Sequence, residues 1–124
     1  MANTFKVVNF AAEPNSSGTP YVVYTAASST TTVVLGLILS NIHTSQVTAT
    51  VRLVSDTANR AVTNNTANGT SIIIKDAPIP VGGSLELIDG GSKVVLQSGD
   101  SVEALASTGS AVDVILSVVD SIST

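Results

Sequence analysis

The clearest pattern in this chain is alternation. In residues 47–53, Val47, Ala49, Val51 and Leu53 alternate with Thr48, Thr50 and Arg52. A period of two is that of a strand with one buried face. Val102-Glu103-Ala104 and Val112-Asp113-Val114 repeat the pattern. The chain is rich in Val, Ile and Thr, whose branched side chains suit a pleated surface. Strands are predicted over residues 5–10, 21–26, 32–42, 47–54, 71–75, 84–88, 93–96, 101–106 and 111–119.

Turn chemistry punctuates these runs. Pro78, Pro80, Gly82, Gly90, Gly99 and Asp100 are the expected structural turn residues, and Asp76 before Ala77-Pro78 is expected to start a turn. Strands spaced about ten residues apart are the mark of a sandwich or barrel. The expected fold is therefore all-β: one antiparallel β-sandwich domain over residues 1–124, Ig-like or jelly-roll-like, with 8–9 strands, no significant helix and an N-terminal arm over residues 1–12. Residues 56–67 are the best helix candidate, but their Thr and Asn content favours a long loop.

Two segments break the alternation. Residues 33–39 (Val-Val-Leu-Gly-Leu-Ile-Leu) and 72–74 are apolar on both faces, and residues 114–119 are nearly so. A two-layer sandwich has one interior, so a two-faced strand needs cover. Either a loop or terminus of the same chain supplies it, or a second subunit does. Under the second reading, the candidate assembly surface comprises Phe5, Val7, Phe10, Val33, Leu35, Leu37, Leu39 and Val118.

Composition narrows the function. The chain carries 5 basic and 9 acidic residues, a net charge of -4, and 11% charged residues, well under the usual ~25%. So few cations disfavour a nucleic-acid partner. No apolar run approaches the roughly 18 residues of a membrane helix, so no membrane partner is expected. The N-terminal residues lack the basic and apolar regions of a signal peptide, which predicts synthesis in a cytoplasm. Low charge also weakens repulsion between neighbouring surfaces.

Candidate chemistry is sparse. With no cysteine there is no disulfide or thiolate metal site. His43, the single histidine, lies in a predicted turn with no carboxylate near it in sequence, and no strand-to-helix nucleophile elbow is present. The carboxylates Glu13, Asp56, Asp76, Glu86, Asp89, Asp100, Glu103, Asp113 and Asp120 are dispersed and match no Ca²⁺ loop. Gly82-Gly83-Ser84 and Asp89-Gly90-Gly91-Ser92 lack the Lys-Ser/Thr pair of a phosphate loop. The four aromatic residues, Phe5, Phe10, Tyr21 and Tyr24, are a thin platform for sugar stacking. No enzymatic activity, cofactor or metal is expected.

The punctuation carries a resemblance when taken in order. Tyr21 to Ala27 and Thr31 to Asn41 are followed by Val47 to Leu53. Then come Lys75-Asp76-Ala77-Pro78-Ile79-Pro80-Val81-Gly82-Gly83-Ser84-Leu85 and Lys93-Val94-Val95-Leu96-Gln97-Ser98-Gly99-Asp100-Ser101-Val102, and last Val112 to Ser117. This order resembles short virion structural proteins of tailed bacteriophages, such as those of cyanobacterial hosts, over residues 20–119. The resemblance implies a small sandwich displayed in many copies on a particle, with no enzymatic residues to carry over. A capsid decoration or cement protein of the virion is the leading expectation. The alternatives are a neck, tail or baseplate ring subunit, or a fibre-tip host-binding module. Expected partners are other virion proteins (major capsid, neck or tail) and copies of the chain itself, as a trimer or ring.

Overall fold

A computed structural model describes residues 4–55, 69–88 and 93–122, with Ser121 and Ile122 as backbone only. Nine strands form: β1 (Thr4–Phe10), β2 (Tyr21–Thr25), β3 (Thr31–Asn41), β4 (Val47–Val54), β5 (Thr70–Ile79), β6 (Ser84–Ile88), β7 (Val94–Leu96), β8 (Ser101–Ala106) and β9 (Val112–Ile122). No helix is present among the described residues. Seven strands fall within a residue or two of their predicted limits. β5 and β9 run further, and residues 56–67 lie outside the described residues, as does Gly90.

The strands pair antiparallel throughout. One sheet, here called the front sheet, has the order β1-β9-β3-β6, with β7 also on β3; the back sheet has the order β2-β8-β4-β5. β6 pairs with residues 37–40 of β3 and β7 with residues 32–34, so β6 and β7 act as one interrupted strand. Counted that way, eight strands pass between the sheets at every connection except β4–β5, which stay in the back sheet; this is jelly-roll topology and excludes the Ig-like order.

Alternation builds the interior. On the front sheet Val8, Leu116, Leu37 and Ile88 line up across four strands, as do Phe10, Val114, Leu39 and Leu85. On the back sheet Ala49 faces Ala106, and Val51 faces Ala104. Large side chains on one sheet over small ones on the other fill the gap between them in one core cluster.

Several residues lie elsewhere than their sequence pattern suggests. Leu37 and Leu39 are not surface residues: both are 1% exposed and belong to the core. Their parity is reversed by a bulge at Leu35, where Val34 pairs with Val118 but Gly36 pairs with Ser117. One extra residue moves every later side chain to the opposite face. Val118 is also fully buried; Val119 is the one turned to the outer face, and Phe5 and Val33 beside it leave it only 7% exposed. Finally, Asp76 and Pro78 do not turn the chain. Asp76 takes a left-handed φ of 48° at a bulge within β5, and the strand continues through Pro78. β5 borders its sheet, so proline's missing donor costs little there.

Of the other turn residues, Pro80, Gly82, Gly99 and Asp100 lie at turns as expected. Gly82 and Gly99 have φ of 73° and 86°, in the left-handed region that glycine enters freely. Pro80 precedes the first of these turns and accepts the Gly83 N–H at 2.9 Å. Asp100 closes the second, where its carboxylate accepts the Gln97 N–H at 3.1 Å.

Candidate assembly surface

The outer face of the front sheet is built in rows. Phe5, Val119, Val33 and Val95 stand side by side across β1, β9, β3 and β7, so the first row is apolar from edge to edge. Val7, Ser117 and Gly36 form the second row, with Leu35 at the bulge beside it. Asn9, Ile115, Ile38 and Glu86 form the third. Asp113, Ser40 and Ser84 follow, and the face turns polar. Phe5 is 74% exposed, Val7 65%, Val95 54% and Ile115 38%. Val33, Leu35 and Ile38 are half-buried between them. Of the residues read from sequence as an assembly surface, the structure thus gathers Phe5, Val7, Val33 and Leu35 on one face. Phe10 instead points inward, its ring edge-on to Tyr21 with centroids 5.1 Å apart.

Two depressions give this face relief, and small second-row residues line one of them. Ile115 stands between two shallow depressions of about 290 and 240 Å³. Val7, Phe10 and Asp113 are among the residues lining the first, and Leu35, Gly36, Ile38 and Ser117 among those lining the second. Gly36 opens the second depression, and an added Cβ there would sit 3.4 Å from the Ile88 carbonyl oxygen.

The outer face of the back sheet is of another kind. Thr48, Thr50, Arg52 and Glu103 occupy its centre. Arg52 and Glu103 are directly opposite across β4 and β8 and form an ion pair at 2.7 Å. The Thr50 hydroxyl accepts the Asp76 N–H at 2.9 Å. Val22 and Ile72 are the large exposed apolar residues there.

At the end of the sandwich where β9 finishes, a buried carboxylate ties the strands together. Asp120 is 4% exposed. Lys6 of β1 donates to it at 2.8 Å, and the hydroxyls of Tyr24 on β2 and Thr32 on β3 also donate to it. Four strands and both sheets meet at one side chain. Burial alone would raise the Asp120 pKa, but the hydrogen bonds from Lys6, Thr32 and Tyr24 and the lysine charge outweigh it and hold the pKa below its ordinary value. Hydrogen bonding to Asp120 raises the Lys6 pKa, and burial raises that of Tyr24. Sequence reasoning misses this clasp, although a signal for it is present. Val112, Val114, Leu116 and Val118 alternate inward, and the next step lands on Asp120. A carboxylate in that register must be paired.

His43 is half-buried in the turn after β3, where its backbone N–H donates to Asn41 Oδ1 at 2.7 Å. No group of three or more His, Cys, Asp or Glu able to hold a metal occurs among the described residues. Nor is any helix among them long and apolar enough to cross a membrane. Fold and surface together define a jelly-roll module with one apolar and one polar outer face. No protein-family model, curated protein or solved structure matches the chain.

Proposed function

We propose that this chain is a non-enzymatic structural subunit of a tailed-phage virion, and that it decorates and cements the capsid by docking the outer face of its front sheet on other virion proteins. The observation that carries the reading is the apolar row Phe5–Val119–Val33–Val95, open at both ends and spanning four strands. The opposite sheet centres on hydroxyls and an ion pair, with Val22 and Ile72 as separate apolar residues, so the front face is the better suited to contact. The order of turns and strands over residues 20–119 supports placing it among virion proteins. Jelly rolls also build viral shells, an association of fold alone.

Docking would remove aliphatic surface from water, at about 25 cal/mol per Å². The rows span four strands about 4.8 Å apart and three side-chain steps of about 7 Å, a face of roughly 400 Å². That is near half the ~800 Å² per partner of a stable interface. One such contact is weak, and many copies on a lattice make it effective through avidity. Val95→Lys and Ile115→Lys place a charge on this face without entering the core. Each is expected to abolish co-sedimentation with shells while leaving the fold intact. Binding unchanged by both variants would sink the docking reading. Copy number on purified particles separates the placements, since a shell lattice demands far more copies than a single neck or tail ring.

A further inference from the structure

Four edges border the two sheets, and three are interrupted. β5 contains Pro78 and two register shifts against β4. β2 is five residues long, with a bulge between Val22 and Tyr24. On the β6–β7 edge, β6 carries a register shift against β3 and β7 is three residues long. Proline, bulges, short strands and edge charges are the devices that stop a sheet edge from pairing with another chain. β1 has no proline or bulge, and its one charge, Lys6, is neutralised by Asp120 at 2.8 Å. Its seven residues pair with β9 in unbroken register, they include no glycine or proline, and Thr4 to Val7 are all exposed.

We infer that β1 pairs antiparallel with β1 of a second copy about a twofold axis at Val7, joining two front sheets into one. This deepens the assembly reading above by naming the edge and its occupant. A ring built head to tail would need β1 to meet a different edge, and every other edge is interrupted. The uninterrupted counterpart to β1 is β1 itself. Parity and charge then select the register. Outward residues must face outward ones, so the axis falls on a residue rather than between two. An axis at Lys6 would set two ammonium groups directly opposite, which is unfavourable. An axis at Val8 would leave Thr4 and Phe5 unpaired. An axis at Val7 uses all of Thr4 to Phe10, with Lys6 opposite Val8 and Phe5 opposite Asn9. Joining the faces also doubles the docking face to roughly 800 Å², the standard size for one side of a stable interface.

The chain has no cysteine, so a single introduced thiol reports the geometry cleanly. Directly opposed residues of an antiparallel pair have Cα atoms about 4.5–5.5 Å apart, inside the range a disulfide spans. Val7→Cys is expected to oxidise to a symmetric dimer at low micromolar concentration, and Val95→Cys, on the far edge, is expected to stay monomeric on a non-reducing gel. Val7→Lys places two like charges at the axis on a residue already 65% exposed. Analytical ultracentrifugation should show wild type as a dimer and Val7→Lys as a folded monomer, its dimerisation weakened at least about tenfold. A monomeric wild type, a dimer that survives Val7→Lys, or a Val7→Cys chain that resists crosslinking would each overturn the inference. Val95→Lys keeps the two readings apart: it should retain the dimer and lose shell binding. A monomer that still loses shell binding on Val95→Lys would refute the twofold pairing alone.

Discussion

Replacing Asp120 by asparagine changes one atom of the clasp and tests what holds β1 and β2 to the body of the sandwich. The Asp120→Asn side chain keeps an acceptor for the Thr32 hydroxyl but presents an amide where the second carboxylate oxygen accepted from both Lys6 and Tyr24. Hydrogen bonds to a charged group contribute about 1.5–3 kcal/mol each, and neutral ones roughly half as much. The Tyr24 hydroxyl can turn to accept from the new amide and recover part of its loss. Thr32 is fully buried and keeps only a neutral bond. Lys6 reaches solvent and rehydrates. The expected loss is about 2–3 kcal/mol, below the roughly 3–5 kcal/mol of breaking a fully buried pair because Lys6 keeps its contact with solvent. Urea unfolding of Asp120→Asn, Tyr24→Phe and the double variant measures it. Tyr24→Phe alone should cost about 2 kcal/mol, and in the asparagine background much less, a coupling of about 1.5 kcal/mol. A single variant within about 0.5 kcal/mol of wild type, or two fully additive losses, would refute the clasp.

The same cluster fixes the sign of the pH dependence. Asp120 has its folded pKa below the ordinary 3.8, so its contribution is complete above that value and is lost as pH falls through the folded pKa. Tyr24 and Lys6 have folded pKa values raised above 10.0 and 10.5, so their contributions are complete below those values and are lost as pH rises through the folded ones. Thermal midpoints should therefore fall at both extremes, and Asp120→Asn should flatten the acid limb.

Three further outcomes follow from packing and backbone geometry. Leu37→Ala should cost about 2–5 kcal/mol in urea unfolding, while Val33→Thr, four residues earlier on the outer face, should cost under about 1 kcal/mol; comparable losses would contradict the parity change at the Leu35 bulge. Gly109→Ala would set a Cβ 2.7 Å from the Asn15 carbonyl oxygen, backbone against backbone, and is expected to lower stability by about 1–3 kcal/mol by the same measurement. Ser110 holds a left-handed φ of 56°, so Ser110→Gly should raise the thermal midpoint slightly, by the relief of a strain on the order of 1 kcal/mol.

Much of the architecture could be read from the sequence because strand period and turn chemistry are local. Val47, Ala49 and Val51 reveal their inward face by alternation with threonine, and Gly82 and Gly99 reveal a backbone that must turn. Leu37 and Leu39 misled because a bulge adds a residue without marking the sequence. The run 33–39 is apolar at every position but Gly36, so nothing in it shows where the register slips. Asp76 and Pro78 misled for a related reason: the sequence motif of a turn becomes a bulge when the strand has a free edge beside it. The Asp120 clasp depends on partners 88–114 residues away. Its inward register can be read from β9, but its partners follow only from the jelly-roll crossing that sets β2 over β1 and β9.

The clasp and the open edge belong to the same strand, and that coincidence links the fold to the proposed assembly. β1 has one neighbour, β9, and its outer residues are bare. A strand held by one ladder alone is free to fray, and a frayed edge presents no defined register to a second chain. Lys6 anchors β1 from its inward side to Asp120, which Tyr24 holds from the other sheet and Thr32 from within its own. The edge is thereby fixed in position before any partner arrives, and the ordering cost falls on folding rather than on association. Asp120→Asn should then weaken β1–β1 pairing as well as the fold, although residue 120 lies on the inward side, away from the twofold axis. An Asp120→Asn protein that unfolds more easily yet dimerises as tightly as wild type would separate the two roles and leave the clasp a matter of stability alone.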